Sequence, residues 1–352
     1  MADEARIETE APREAYDDRP THLEPGELPP EVQAPLAIYK GAEPPTPKWF
    51  KDAVAIEPER GFVESLGSKL EVLSWGEVGK PGLLLVHGNS AHADWWSFIA
   101  PYFADDYRVT SMSLAGMGAS DWREKYAFGD FADDAEAVAQ ATGLYAGGRK
   151  PIYIGHSFGG GQVFYAASRF PERMHAAILV DTGFGGPPPE ELERRKRQAE
   201  MVRNIPTVDR PSRVYPTLEA ALARFRLMPP QPAGNPFIAD FIARRSLKRA
   251  PLPDGSGEGW TWRFDPEMWN KLTRSGMEFS NGGAGKVKVE VPLAHIYGAN
   301  SRIIEHRKAG APSPLPDDVL EIEIPDSHHH VMIDQPLALV AALRALLAAW
   351  PH

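Results

Sequence analysis

Ser157 lies in the run Gly155-His156-Ser157-Phe158-Gly159, between three apolar β-formers (Ile152, Tyr153, Ile154) and a stretch where Val163, Phe164, Ala166 and Ala167 recur at helical spacing. A strand can turn into a helix within two or three residues only through a strained bend. Glycines at 155 and 159 remove the Cβ atoms that would collide there. Such a bend lifts the serine side chain off the backbone and leaves the amide of Phe158 at a helix N-terminus, where N–H groups lack carbonyl partners and negative charge is favoured. An exposed hydroxyl beside an oxyanion donor is what acyl transfer needs. The pentapeptide alone is equally readable as a glycine-rich loop holding a passive serine, so its surroundings must decide.

A serine hydroxyl is a poor nucleophile at neutral pH and needs a base whose own pKa lies near working pH, which points to histidine. Three compete, because His328, His329 and His330 stand together shortly before the last helix. Adjacent side chains diverge, and no spaced Asp, Glu or His completes a recognisable ligand set, so the run is not read as a metal site. No cofactor is implied. His87 reads as a loop histidine that hydrogen-bonds locally, and Trp95 and Trp96 read as core packing, since buried indoles are mainly apolar area.

The elements that must position these groups follow a clear grammar from about residue 60. "GFVESLG" and "KLEVLSWG" predict two strands joined by a glycine turn, and "PGLLLVHGNS" predicts a buried strand ending at His87-Gly88. "YRVTSMSL" follows as a strand, "DFADDAEAVAQATGLY" as a helix, then the Ser157 strand and helix, and "AAILVDTG" as a further strand. Alternation of this kind indicates an α/β fold with a mostly parallel sheet flanked by helices. Ligands in such sheets sit at the carboxyl ends of the strands, where His87, Ser157 and Asp181 fall. Residues 59–182 and 286–352 form this core, closing with "LEIEIPDS", the histidine run and the helix "LALVAALRALLAAW". Between them, residues 183–285 hold charged amphipathic segments ("PEELERRKRQAEMVRN", "TLEAALARFRLM", "NPFIADFIARRSLKR") separated by prolines and followed by "GWTWRFDPEMW". A long helical insertion at the top edge of a sheet predicts a cap over the site. Residues 1–58 are acidic and proline-rich and cannot build a core of their own. They predict either a solvated tail or an arm that docks on its own domain or on a second subunit of a homo-oligomer.

Bulk properties narrow the class. The chain has 352 residues, 43% of them hydrophobic, and a formal net charge of −10 without a dominant basic patch, which argues against a nucleic-acid partner. It contains no cysteine, which excludes disulfides and thiolate chemistry and fits a reducing cytoplasm. The acidic start "MADEARIETE" does not resemble a secretory signal, and no apolar run approaches the roughly 20 residues of a membrane span. The expectation is a cytoplasmic protein with no membrane partner.

From about residue 60 to 350 the chain resembles the α/β-hydrolase fold superfamily. "HGNSAHADWW" is similar to its oxyanion segment, "GHSFG" to its nucleophile elbow and "SHHHVMIDQP" to its terminal histidine segment. The resemblance implies serine-hydrolase chemistry beneath a cap inserted after strand six, with Ser157 as nucleophile and the amides of Asn89 and Phe158 as oxyanion hole. It also selects His329 as the base, because the family's histidine commonly lies seven residues before the proline that opens the last helix, here Pro336. "HGN" also looks like the corresponding segment of haloalkane dehalogenases. Those enzymes and the related epoxide hydrolases use an aspartate nucleophile, so neither activity is expected from Ser157. Ser113 and Met117, in "SMSLAGMGASDW", depart from the aspartate and histidine the family usually carries there. The acid of most members follows strand seven, yet Ser301 occupies that position in "GANS". Some members place it after strand six, which implies Asp181, with Glu305 as the alternative acid. The expected activity is a carboxylesterase acting on small or medium acyl esters. The alternatives are a C–C bond hydrolase or lactonase on the same frame, or a small-ligand receptor that turns over very slowly.

Overall fold

The computed structural model describes residues 28–184, 213–273, 286–308 and 313–350. Eight strands form one central sheet: β1 (Glu59–Ser65), β2 (Ser68–Trp75), β3 (Gly82–Val86), β4 (Arg108–Met112), β5 (Ile152–His156), β6 (Ala176–Val180), β7 (Leu293–Gly298) and β8 (Leu320–Ile324). Their order across the sheet is β1-β2-β4-β3-β5-β6-β7-β8. β2 runs antiparallel to both of its neighbours, and every other pairing is parallel. The inner parallel strands β3, β5 and β6 are buried along their whole length, and β3 and β6 read as continuous apolar runs because both faces are covered. Leu83, Leu85, Ile152, Ile154, Ile178 and Val180 enter one core, while Leu84, Val86, Tyr153, Ala177 and Leu179 enter the other. Helices α1 (Phe128–Ala141) and α2 (Phe158–Arg169) pack on the second face through Phe131, Val138, Val163 and Phe164. A C-terminal helix (Pro336–Ala349) closes the first face with Leu339, Leu343, Leu346 and Leu347.

The insertion between β6 and β7 is less uniformly helical than its periodicity suggests. The segment "PEELERRKRQAEMVRN" lies outside the described residues. Only Leu218–Leu222 of the next segment is helical, started by Thr217, whose hydroxyl accepts from the Ala220 amide at 3.1 Å. The third segment forms a longer helix, Pro236–Arg245, then turns into an antiparallel hairpin of Leu247–Pro251 and Glu258–Trp262. Trp260 and Trp262, β-formers that helix periodicity does not anticipate, occupy the second hairpin strand.

Of the N-terminal arm, residues 28–58 dock on their own chain. Val32, Leu36, Phe50 and Ala53 are buried. Phe50 sits in an aromatic cluster with Phe98 of the body and Phe237 and Phe241 of the insertion, at ring separations of 5.6, 5.1 and 5.4 Å. The arm therefore uses a core that two other segments supply. We expect Phe50→Ala to lower the unfolding free energy by about 3–5 kcal/mol through the cavity it leaves. Phe62→Ala, at a strand position 58% exposed, should stay within about 0.5 kcal/mol. Denaturant midpoints of the two variants check both; equal midpoints would mean that the arm is not held by this cluster.

Candidate active site

Ser157 is the single residue between β5 and α2, and it holds φ 53° and ψ −116°, a left-handed conformation that side chains rarely adopt. The strain is held from all sides. The Ser157 amide donates to the Val180 carbonyl at 2.9 Å, and the Gly161 amide donates back to the Ser157 carbonyl at 3.1 Å. A Cβ on Gly155 would run into the Gly159 carbonyl, and one on Gly159 into the His87 carbonyl, so only glycine lets β3, β5 and α2 approach this closely. The Phe158 amide is the first of the helix, beyond the reach of any intrahelical carbonyl.

His329 and Asp181 arrive from other strand ends. His329, in the turn after β8, places Nε2 2.9 Å from Ser157 Oγ and Nδ1 2.8 Å from Asp181 Oδ1. An ionised carboxylate can only accept, so Nδ1 carries the proton and Nε2 is left to accept from the serine hydroxyl. Asp181 directly follows β6 and is fully buried, itself at a positive φ of 44°. The remaining acceptor capacity of its carboxylate is filled by the Gly298 amide at 2.8 Å and the Ser301 hydroxyl at 2.5 Å. Ser301, the residue in the family's usual acid position, thus donates to a carboxylate at the end of the neighbouring strand. Glu305 is exposed at the start of a short helix, Glu305–Lys308, while the Nδ1 bond of His329 goes to Asp181.

The other two histidines of the run have separate partners. His328 donates from its amide and from Nδ1 to Asp334 Oδ2, at 2.8 and 3.0 Å. His330 donates from its amide and Nδ1 to Gln231 Oε1, at 3.0 and 2.8 Å. Gln231 Nε2 then donates to Asp334 at 3.2 Å, and the Gly234 amide donates to the same carboxylate at 3.1 Å. The inserted segment 231–234 is in this way bonded to His330 directly and to His328 through the Asp334 carboxylate that both share. His156, just before Ser157, donates from Nε2 to the His329 carbonyl at 2.9 Å and so ties the base to the elbow. His87 donates from Nδ1 to the Gly88 carbonyl at 2.7 Å and accepts the Leu114 amide at 3.0 Å. Burial pushes the pKa of His87 down to about 3 and those of His156 and His330 well below the ordinary histidine range, with the nearby His329 adding to the effect in the last two.

The loop carrying Asn89 runs beside the nucleophile: a Cβ on Gly88 would lie 3.3 Å from Ser157 Cβ. Asn89 and His330 also line a cavity of about 570 Å³ whose opposite wall comes from the insertion. Trp95 faces this cavity and packs on His330 at 5.5 Å between rings, whereas Trp96 is wholly buried in the core. Gln33 and Ala34 of the N-terminal arm reach the same wall. Ser113, the departure after β4, accepts from the Ala93 amide at 2.9 Å and donates to Glu71 at 2.7 Å, so a carboxylate is still present there but comes from β2. No local signal announces Gln231, since its bonds to His330 and Asp334 join positions about a hundred apart. Ser301 did carry one, its place in the family's acid turn. Among the described residues no group of three or more His, Asp or Glu could hold a metal ion, and no helix is long and apolar enough to cross a membrane.

Comparison with known proteins agrees with this architecture. The family model for the alpha/beta hydrolase fold matches residues 81–336. Epoxide hydrolase 4 of Homo sapiens is 27% identical over 122 residues, 34% of this chain and 33% of that protein. Methyl jasmonate esterase 1 of Vitis vinifera is 28% identical over 162 residues, 42% of this chain and 61% of that one. The match therefore spans less than two thirds of either relative. Among solved structures, an esterase of M. tuberculosis superposes with a TM-score of 0.59 at 19% identity, covering 93% of this chain and all of the other.

The buried histidines set a pH dependence of stability. Their folded pKa values lie below the value of about 6.5 expected in the unfolded chain. Below pH 6.5 the unfolded chain takes up protons that the folded chain refuses, so stability is full above that pH and is lost as pH falls, for His87 down to about 3. Each such histidine contributes a slope of about 1.4 kcal/mol per pH unit. His330→Asn, which keeps an N–H donor for Gln231, should make the slope between pH 6 and 5 shallower by about that amount. Urea titrations at the two pH values measure it, and an unchanged slope would show that His330 is not held neutral.

Proposed function

This chain belongs to the alpha/beta hydrolase fold family, and we propose that within it the protein is a serine hydrolase, a carboxylesterase that cleaves small or medium acyl esters through an acyl-enzyme. One observation carries the reading: a single imidazole, His329, lies 2.9 Å from Ser157 Oγ on one side and 2.8 Å from the buried Asp181 carboxylate on the other. Ser157 Oγ attacks the ester carbonyl carbon while His329 Nε2 takes the hydroxyl proton. The oxyanion of the tetrahedral intermediate is held by the amides of Asn89 and Phe158. Collapse expels the alcohol, which leaves with the proton from His329. A water then attacks the acyl-enzyme, giving its proton to His329, and release of the acid returns that proton to Ser157. Asp181 holds the Nδ1–H tautomer and stabilises the imidazolium formed in each half. An esterase among the relatives is in line with this chemistry. The epoxide hydrolase relative is not followed in its named activity, because a serine replaces the aspartate nucleophile of such enzymes.

Ser157→Ala should lower kcat on p-nitrophenyl esters by at least about 10³-fold and abolish labelling by a fluorophosphonate. Retention of more than a tenth of the activity would make Ser157 a turn residue only. Wild-type protein should complete many turnovers after an initial burst, whereas release of about one product per chain would indicate a ligand receptor.

Asp181→Asn should cut kcat by several orders of magnitude, while Glu305→Gln stays within about tenfold. The opposite ranking in steady-state assays would move the acid to Glu305.

A further inference from the structure

We infer that the cavity beside Ser157 takes esters carrying an anionic group, a carboxylate remote from the scissile bond, held by Arg224, Arg226 and Arg263; the inference rests on the serine-hydrolase reading. The cavity of about 570 Å³ is lined by Asn89, from the loop beside Ser157, and by His330, the neighbour of His329. The same lining includes three arginines, Arg224 and Arg226 at exposed positions of one segment and Arg263 just after the hairpin. Trp95, Phe225, Leu227 and Trp262 add apolar surface to it.

Among the described residues no aspartate or glutamate lines this cavity. Two carboxylates exert their charge on His92 in its wall, Asp94 and Glu71, and both are already engaged. Asp94 is bonded to Arg60 at 3.0 Å, to Ser97 at 3.0 Å, and faces Arg245 at 3.5 Å. Glu71 accepts from the Ser113 hydroxyl at 2.7 Å and the Ala119 amide at 3.0 Å. Neighbouring arginines of the insertion are neutralised within the protein: Arg244 pairs with Asp240 at 2.7 Å, and Arg249 faces Glu258 at 3.7 Å. Arg224, Arg226 and Arg263 form no ion pair among the described residues; Arg263 spends only Nε, on the Leu247 carbonyl at 2.9 Å. With a formal net charge of −10, the chain as a whole repels anions, so three cations with no counter-charge among the described residues are a local feature of this cavity. Guanidinium groups recognise carboxylates and phosphates through paired N–H donors, and Trp95, Phe225, Leu227 and Trp262 offer apolar contact to a spacer of a few methylenes.

The test compares mono-p-nitrophenyl adipate with p-nitrophenyl hexanoate, an acyl chain of equal length without the charge, on the full chain. We expect kcat/KM to favour the hemiester by at least about tenfold at low salt. The advantage should shrink as sodium chloride screens the charges, and should fall to about twofold or less when Arg226→Gln and Arg263→Gln are combined. Equal rates for the two esters, or a preference indifferent to both substitutions, would overturn the inference while leaving the hydrolase reading intact. Calorimetric binding of adipate to Ser157→Ala, and its loss in the arginine variants, provides a readout independent of chemistry. If the wild type cleaves neither ester but adipate still binds through these arginines, the hydrolase reading fails and the anion site stands. Butylphosphonate in the same titration separates sources. Tighter binding of adipate assigns the site to carboxylates, and a stronger response to the phosphonate would overturn that assignment in favour of a phosphoryl ligand.

Discussion

A carboxylate taken wholly out of water is the constraint on which the site depends. Asp181 has no exposed surface, and an ionised carboxylate in such a place is tolerated only when its oxygens are bonded on every side. Its donors are the Gly298 amide at the end of β7, the Ser301 hydroxyl in the following turn, and His329 after β8. Its own amide donates to the Ile296 carbonyl at 2.7 Å. Three consecutive strand ends must therefore lie in register before the charge is satisfied. Once they do, the tautomer and direction of His329 are fixed, and so is the proton acceptor for Ser157.

The sheet could be read from the sequence because its signals are local. Strands buried on both faces show up as continuous apolar runs, and the elbow shows up as glycines flanking a serine between a strand and a helix. The spacing of His329 to Pro336 singles out one imidazole of three, and the structure gives all three distinct partners. His328 goes to Asp334, His329 to Asp181 and Ser157, and His330 to Gln231. What could not be read depends on pairs far apart in the chain. Nothing around Gln231 predicts that it will hold His330, and nothing around Gln33 predicts a place on the cavity wall. The hairpin at Leu247–Pro251 and Glu258–Trp262 escaped because the preceding helix carries charged residues on into the first strand, so the periodicity does not break where the structure does.

The insertion and the arm together complete what the open end of the sheet lacks. Segment 231–235 is bonded to the turn of the base: Gln231 and Gly234 reach the Asp334 carboxylate, and the Asn235 side chain donates to the Ile333 carbonyl at 2.8 Å. Farther along, Asp265 accepts the Tyr126 hydroxyl at 2.9 Å and Lys271 at 2.7 Å, and its amide donates to the Gly116 carbonyl. The arm joins through Phe50 and through the Gly41 carbonyl, which accepts from Arg244 at 2.7 Å. The cavity itself takes Gln33 and Ala34 from the arm and Tyr215, residues 223–228, Ser246 and residues 262–264 from the insertion, so much of its wall comes from outside the sheet.

Asp181 stands at the end of β6, where the β7 turn has Ser301, and this changes which segments bring Ser157 and the carboxylate together. Ser157 and Asp181 now belong to one contiguous β5–α2–β6 unit, locked together by the Ser157 amide bond to Val180 and by the ladder pairing of His156 with Val180. During synthesis from the N-terminus the residues of that unit leave the ribosome before those of the insertion and of the last two strands. His329, which bonds to both Ser157 and Asp181, follows them. A chain cut short anywhere ahead of Ser327 therefore keeps the serine and the carboxylate but lacks the imidazole that joins them.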